Sequence, residues 1–261
     1  MALGVVQGLT EFLPISSSGH LVLAQELFPA GNHRSLAFNI CLHFGTLIAV
    51  VGYFRHDLLR IAAAAIGWRT PEGERYLGRW VWLLALATVP VAVVGIAFAE
   101  RVEHAFSSVP AVGTALLVTA LLLAFGSSQV SREGRGAEKL GVRDALMVGI
   151  FQAFAILPGV SRSGATIVGG VTSGLDPQTA ARFAFLLSVP AILAAMVGNL
   201  PAVGLLLAED PLAVVSGMVA AAVTGFLAIE LMMRAVKVGR LLPFALYCGV
   251  LGLVALSTEW L

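Results

Sequence analysis

The sequence predicts an all-α, polytopic helical membrane protein, built as an inverted-topology repeat with two re-entrant helix-loop-helix segments. Three observations lead there. The 261-residue chain is 58% hydrophobic and 12% charged, with mean hydropathy +0.92, whereas soluble domains carry roughly 25% charged residues. Its apolar runs approach the ~20 residues that a helix needs to cross the bilayer core. One polar motif occurs twice, as GVVQGLTEFLPISSSGH over 4–20 and as GIFQAFAILPGVSRSGAT over 149–166.

The two copies share G-x-x-Q, L-P and S-x-S-G. Gln7 pairs with Gln152, Leu13-Pro14 with Leu157-Pro158, and Ser16 to Gly19 with Ser161 to Gly164. They differ where chemistry can differ: the first holds Glu11 and His20, the second Arg162. Two related polar loops in so apolar a chain read as one site made from two halves.

In chain order, region 1–28 is apolar but broken by Gly, Pro and Ser. Apolar runs follow at 36–54, 80–99 and 109–126, then a second broken region at 144–176, then runs at 183–200, 212–233 and 241–259. Asp176-Pro177 reads as a helix start, with Asp176 as the cap and Pro177 at the first helical position. A single integral membrane domain covers 1–261, with repeats at about 1–126 and 144–261. The chain starts three residues before the first motif, so a few residues of a leading helix are expected ahead of it; no cleavable signal peptide is visible.

Lys and Arg in the short loops set the direction of the spans. Loop 55–79 holds Arg55, Arg60, Arg69, Arg75 and Arg79; loop 127–143 holds Arg132, Arg135, Lys139 and Arg143; loop 234–240 holds Arg234, Lys237 and Arg240. These three are expected on the cytoplasmic side. Loop 100–108, with only Arg101, and loop 201–211, with Glu209 and Asp210, are expected outside. Tyr53, Trp80, Trp82 and Trp260 fall near span ends, as interfacial aromatics do.

Matching the spans in order pairs 36–54 with 183–200, 80–99 with 212–233, and 109–126 with 241–259. Thr88 then aligns with Thr224, and Pro110 with Pro243. Each pair runs in opposite directions, which is the inverted repeat of many transporters. The broken segments then enter from opposite faces and meet tip to tip. Non-helical backbone at membrane depth survives only inside protein or against a wet cavity.

Several polar residues point to an anion site. Gln7 and Glu11 are spaced i,i+4 and share a helix face. A carboxylate inside the membrane is a functional candidate, and Glu11 is also placed to pair with a cation such as Arg162. The planar fork of Arg162 matches phosphate oxygens. His20 is a candidate general acid, base or nucleophile. Ser16, Ser17, Ser18, Ser161, Ser163 and Thr166 are candidate hydroxyl donors to phosphate, or helix caps. Helix N-termini at the two tips would attract phosphate as well.

Asn39 and His43, one turn apart in the first span, either back the site or belong to the core. Thr46, Thr88 and Thr224 are expected to bond back within their helices. His33, His56 and His104 receive no role. Cys41 and Cys248 read as small buried hydrophobes without metal-site spacing. The net charge of +1 implies no nucleic-acid partner.

At these residues the chain resembles a known family. GVVQGLTEFLPISSSGH and LPGVSRSGATIVGG look like the two motifs of the undecaprenyl-pyrophosphate phosphatases, the bacitracin-resistance family of bacterial inner membranes. The resemblance implies removal of the terminal phosphate of undecaprenyl pyrophosphate, which recycles the lipid carrier for peptidoglycan. It implies a polyprenyl pyrophosphate lipid as substrate, the bilayer as surroundings and a divalent cation, Mg²⁺ or Ca²⁺. It also implies a multi-pass protein with its site facing the periplasm or exterior; a homodimer stays open.

Carried onto this sequence, the family's (E/Q)-x-x-x-E motif falls on Gln7 and Glu11, the expected metal positions. Its histidine falls on His20, its serine on Ser17, and P-G-x-S-R-S-x-x-T on Pro158, Gly159, Ser161, Arg162, Ser163 and Thr166. The catalytic set implied is Glu11, His20, Arg162 and Ser17. Phosphate contacts are expected from Ser16, Ser18, Gly159, Ser161, Ser163 and Thr166. Gln7 in place of an acid leaves one carboxylate for the metal. The attacking group is either Ser17 or a water activated by His20. Two rival readings are a transporter or flippase of a polyprenyl phosphate, and a membrane binding module with a decayed site.

Overall fold

Proline, glycine and serine interrupt the helices at two places, and the rest of the chain is arranged around those breaks. The computed structural model describes residues 1–27, 36–68, 71–98, 108–130 and 134–257. The α-helices, in order, are α1 (Ala2–Phe12), α2 (Ser17–Leu27), α3 (Leu36–Tyr53), α4 (Arg55–Ala65), α5 (Trp80–Ala97) and α6 (Val109–Gln129). They continue as α7 (Val142–Phe154), α8 (Arg162–Thr172), α9 (Pro177–Gly198), α10 (Leu200–Glu209), α11 (Pro211–Lys237) and α12 (Leu242–Ser257). Single 3₁₀ stretches cover Glu72–Arg79 and Ala137–Lys139, and no strand forms among the described residues.

Helices α3, α5, α6, α9 and α11 are long and apolar enough to cross a membrane. The described part of α12 has 16 residues. The all-α polytopic membrane class is therefore correct. Helix α9 begins at Pro177, capped by Asp176, whose Oδ1 accepts from the backbone N–H of Gln178 and Thr179 at 3.0 Å each.

Two helices were not expected. The sequence reading treats 55–79 and 201–211 as loops, but α4 and α10 lie there. The arginines around α4 hide the strong helix formers Ala62–Ala65 from a search for apolar runs. Trp80 also departs from expectation. It is fully buried, edge-on to Phe183 at 5.4 Å and under the Arg182 guanidinium at 5.7 Å, so it is a core residue and no interfacial anchor. Trp82, two residues on, does face outward. Arg69, Arg101, Arg132, Trp260, His33 and His104 lie outside the described residues.

The broken helices pack closely on long ones. Helix α1 lies against α11, and a Cβ on Gly4 would stand 2.2 Å from the Gly217 carbonyl oxygen. Helix α7 lies against α5, where a Cβ on Gly149 would stand 2.6 Å from the Ala87 carbonyl oxygen. Only glycine permits either approach. Gly4 and Gly149 occupy the same place in the repeated motif.

The basic loops gather at one end of the bundle. Tyr53 Oη donates to Glu230 at 2.7 Å, joining the ends of α3 and α11. Arg182 at the start of α9 pairs with Asp57 of α4, and Arg79 donates to the Glu138 carbonyl. Arg135 forks onto Asp144 and also donates to the carbonyls of Ser173 and Lys139. Cys41 and Cys248 are free and buried, and Thr46, Thr88 and Thr224 bond back within their helices, all as expected.

Candidate functional site

Each break follows from its residues. Pro14 and Pro158 lack the N–H that would continue a helix. Beyond them Ser16 takes φ +70 and Gly159 φ +100, both in the left-handed region. The chain then restarts as α2 and α8. Ser161 caps α8 by accepting from the Gly164 N–H at 3.1 Å, and Ser16 accepts from the Gly19 N–H at 3.3 Å in the same way. The two serines at matching motif positions thus act as caps.

The breaks touch. The Gly159 N–H donates to Ser18 Oγ at 3.4 Å, and Ser163 Oγ donates to the Leu13 carbonyl at 3.1 Å. A Cβ on Gly19 would stand 3.2 Å from Gly159 Cα. Thr119 of α6 fastens the second break, donating to the Gly159 carbonyl at 2.8 Å and accepting from the Ser161 N–H at 3.0 Å.

A cavity of about 260 Å³ opens where the N-termini of α2 and α8 converge. Its polar lining comes from Glu11, Ser16, Ser17, Ser18, His43, Gln152, Ser161 and Arg162. A buried carboxylate is costly unless paired and hydrogen-bonded, and Glu11 is both. Its Oε1 pairs with Arg162 across the two breaks. Its Oε2 accepts from Ser17 Oγ at 2.5 Å and from Gln7 Nε2 at 2.9 Å. His43 Nδ1 lies 3.3 Å from the same oxygen and 2.8 Å from Gln7 Nε2.

Of the expected catalytic set, Glu11, Arg162 and Ser17 come together. His20 does not join them. Its Nδ1 bonds the Ser16 carbonyl at 2.8 Å and its Nε2 bonds Tyr247 Oη at 2.7 Å. The ring stacks on Tyr247 at 5.6 Å between centroids, facing α12 and not the cavity. Ser16, Ser18 and Ser161 line the cavity. Ser163, Thr166 and Gly159 do not: the Thr166 hydroxyl bonds back to the Arg162 carbonyl at 2.7 Å, Ser163 Oγ donates to the Leu13 carbonyl, and Gly159, ahead of α8, packs against Val112 and Ala115 of α6.

By sequence alone His43 is undecided, and Gln152 and Thr119 carry no role. For His43 the structure decides: it lines the cavity beside Glu11, while Asn39 accepts from Gln25 at 3.0 Å instead. Gln152 had one signal, its match to Gln7. Thr119 had none.

The arrangement favours an anion. It presents a guanidinium, hydroxyls and two helix N-termini to one small space. No cluster of three or more His, Cys, Asp or Glu that could hold a metal forms among the described residues. The residues still fit a divalent cation shared with a substrate. Gln7 Oε1 is buried without a hydrogen-bond partner, and rotating the amide would set that oxygen beside Glu11 Oε2. Glu11, Gln7 and Ser17 would then supply oxygens, and the remaining ligands would come from phosphate and water, as is usual for Mg²⁺.

The model of the family "Bacitracin resistance protein BacA" matches residues 1–254. A protein of Desulfosudis oleivorans named undecaprenyl-diphosphatase is 43% identical over 267 residues, covering 98% of this chain and 96% of its own. Proteins of the same name from Syntrophotalea carbinolica and Methanobrevibacter smithii are 41% and 39% identical, covering 96% and 97% of this chain and 94% of each relative.

Proposed function

The chain belongs to the bacitracin resistance protein BacA family, and on that premise we propose that it is an undecaprenyl-diphosphatase. It removes the terminal phosphate of undecaprenyl pyrophosphate and returns undecaprenyl phosphate to carry peptidoglycan precursors. One observation carries the reading: the Glu11–Arg162 pair sits between two helix N-termini in a serine-lined cavity.

The pyrophosphate occupies this cavity. Arg162 turns from Glu11 toward the phosphoryl oxygens, which the helix N-termini also neutralise. Phosphoryl transfer depends chiefly on such positioning and charge stabilisation. A divalent cation held by Glu11 and Gln7 would neutralise further phosphoryl charge.

Ser17 is the nucleophile. Its Oγ bonds phosphorus, the bond to the bridging oxygen breaks, and undecaprenyl phosphate departs. The Ser17 proton goes to Glu11, which passes it to the departing phosphate. Water then attacks the phosphoserine and gives a proton to Glu11, which passes it to Ser17 Oγ as the bond from phosphorus to Oγ breaks, so that phosphate is freed and Ser17 and Glu11 are restored. The hydrogen bond from Ser17 to Glu11 supports this route over a water activated by His20, which faces Tyr247.

The prenyl chain runs along an apolar groove of about 630 Å³ between α6 and α7, lined by Val118, Leu122, Phe151, Phe154 and Leu157. The groove meets the cavity at Val160, which lines both. We place the basic end of the bundle in the cytoplasm of a bacterial cell, with the cavity open to the periplasm or exterior. The two halves are inverted repeats; the packing of α1 on α11 and of its counterpart α7 on α5 supports this, because matched spans exchange partners.

The test is phosphate release from undecaprenyl pyrophosphate by purified protein in detergent. Release that a chelator stops is the expected result. Lipid movement across vesicles without phosphate release would instead mark a flippase.

A further inference from the structure

Among the described polar side chains that line the cavity, Gln152 is the one whose buried polar atoms have no hydrogen-bond partner, and the mechanism above gives it no part. Gln152 of α7 lines the cavity with Arg162 and Ser161, and it is 1% exposed. Neither its Nε2 nor its Oε1 has a hydrogen-bond partner. Leaving a buried amide unsatisfied forfeits its hydration without replacing it, and native proteins do so rarely.

The repeat explains how the amide came to be free. In the first copy Gln7 gives its Nε2 to Glu11, four residues on. In the second copy the residue four after Gln152 is Ile156, which also lines the cavity and offers no acceptor. The same amide therefore has a carboxylate to bind in one half and only the cavity in the other.

We infer that Gln152 is a substrate-binding residue, whose Nε2 donates a hydrogen bond to a phosphoryl oxygen of the pyrophosphate. Its Oε1 accepts from water or from a protonated phosphate oxygen in the same space. The free protein carries the unsatisfied amide, and the bound anion relieves it. Arg162 supplies charge from one side of the anion, and Gln152 a neutral donor that neither needs nor competes for Glu11. This inference rests on the proposed reaction for the identity of the ligand.

The test compares wild type with Gln152→Met, which keeps the length of the side chain and removes its polar atoms. Phosphate release from undecaprenyl pyrophosphate is measured alongside Tm, with and without inorganic pyrophosphate. We expect Gln152→Met to have a Tm at or above wild type, because a desolvated amide is gone. We expect its kcat/KM to fall roughly 10–100-fold, and the rise in Tm given by pyrophosphate to be lost. Gln152→Glu, which replaces the donor by a charge of the wrong sign, should be no better than Gln152→Met.

A kcat/KM within about twofold of wild type would overturn the inference. So would a Gln152→Met protein that fails to fold or melts well below wild type, since an amide serving only a ligand is dispensable to the free fold. If wild type releases no phosphate, the proposed reaction has failed. The inference then stands only if pyrophosphate raises the Tm of wild type and not that of Gln152→Met.

Discussion

Glu11 and Arg162 are 151 residues apart in the chain and form an ion pair between the two helix breaks. Each belongs to a different copy of the repeated motif, so neither copy holds a complete site. Arg162→Ala is expected to lower kcat/KM by more than roughly 100-fold, since it removes both a phosphate ligand and the partner of a buried carboxylate. Glu11→Gln is expected to lose a similar factor in kcat by removing the proton acceptor. Steady-state phosphate release by folded, monodisperse variants checks both; wild-type rates for either would remove it from the machinery.

The 2.5 Å contact from Ser17 to Glu11 makes a phosphoserine the expected intermediate. Rapid quench with a terminally labelled substrate should trap label on Ser17, and Ser17→Ala should trap none. Label exchange from water into phosphate without any trapped enzyme would point to direct water attack.

His20 bridges the Ser16 carbonyl and Tyr247 Oη, and so it holds the start of α2 against α12. We expect His20→Ala to lower turnover by disordering the serines beside it. Tyr247→Phe, which removes one of the two hydrogen bonds, should give a smaller loss of roughly 2–10-fold. Equal activity of Tyr247→Phe and wild type would make that hydrogen bond irrelevant.

Metal removal should separate this site from a caged one. With Glu11 as the one carboxylate lining the cavity among the described residues, calorimetry should find weak cation binding to the protein alone. Chelator should stop phosphate release, and added Mg²⁺ or Ca²⁺ should restore it. Tight binding without substrate would contradict this donor set.

Gly159 has φ +100, and a Cβ there would stand 2.6 Å from both Ala115 Cβ and the Val112 carbonyl oxygen. Gly159→Ala is therefore expected to cost at least about 1–3 kcal/mol, read as a lowered Tm, and to displace Ser161 and Arg162. A variant of unchanged Tm would show that this break relaxes freely.

The helical membrane class was legible because it follows from composition and from run length, properties of the chain alone. The same holds for the two breaks, which Pro14, Pro158 and Gly159 announce. Short helices were less legible: α4 carries Arg55, Asp57 and Arg60 in its N-terminal half, which breaks the apolar run, and α10 is too short to read as a span. Within the site, Glu11, Ser17 and Arg162 stood out as polar residues in apolar surroundings. His43 was ambiguous and Thr119 silent, because their roles depend on residues brought close only by folding.

Residue type and spacing along one chain thus determined that a polar, two-part site lies within an apolar bundle. They could also nominate its charges. Which candidates face one another is set by the rotation of each helix about its axis and by where its neighbours sit. Packing turned Glu11, Ser17 and Arg162 into one cavity with Gln152, and turned His20 toward Tyr247. A motif read in one dimension carries no record of that rotation, because side chains one turn apart share a face only after the helix has found its partners.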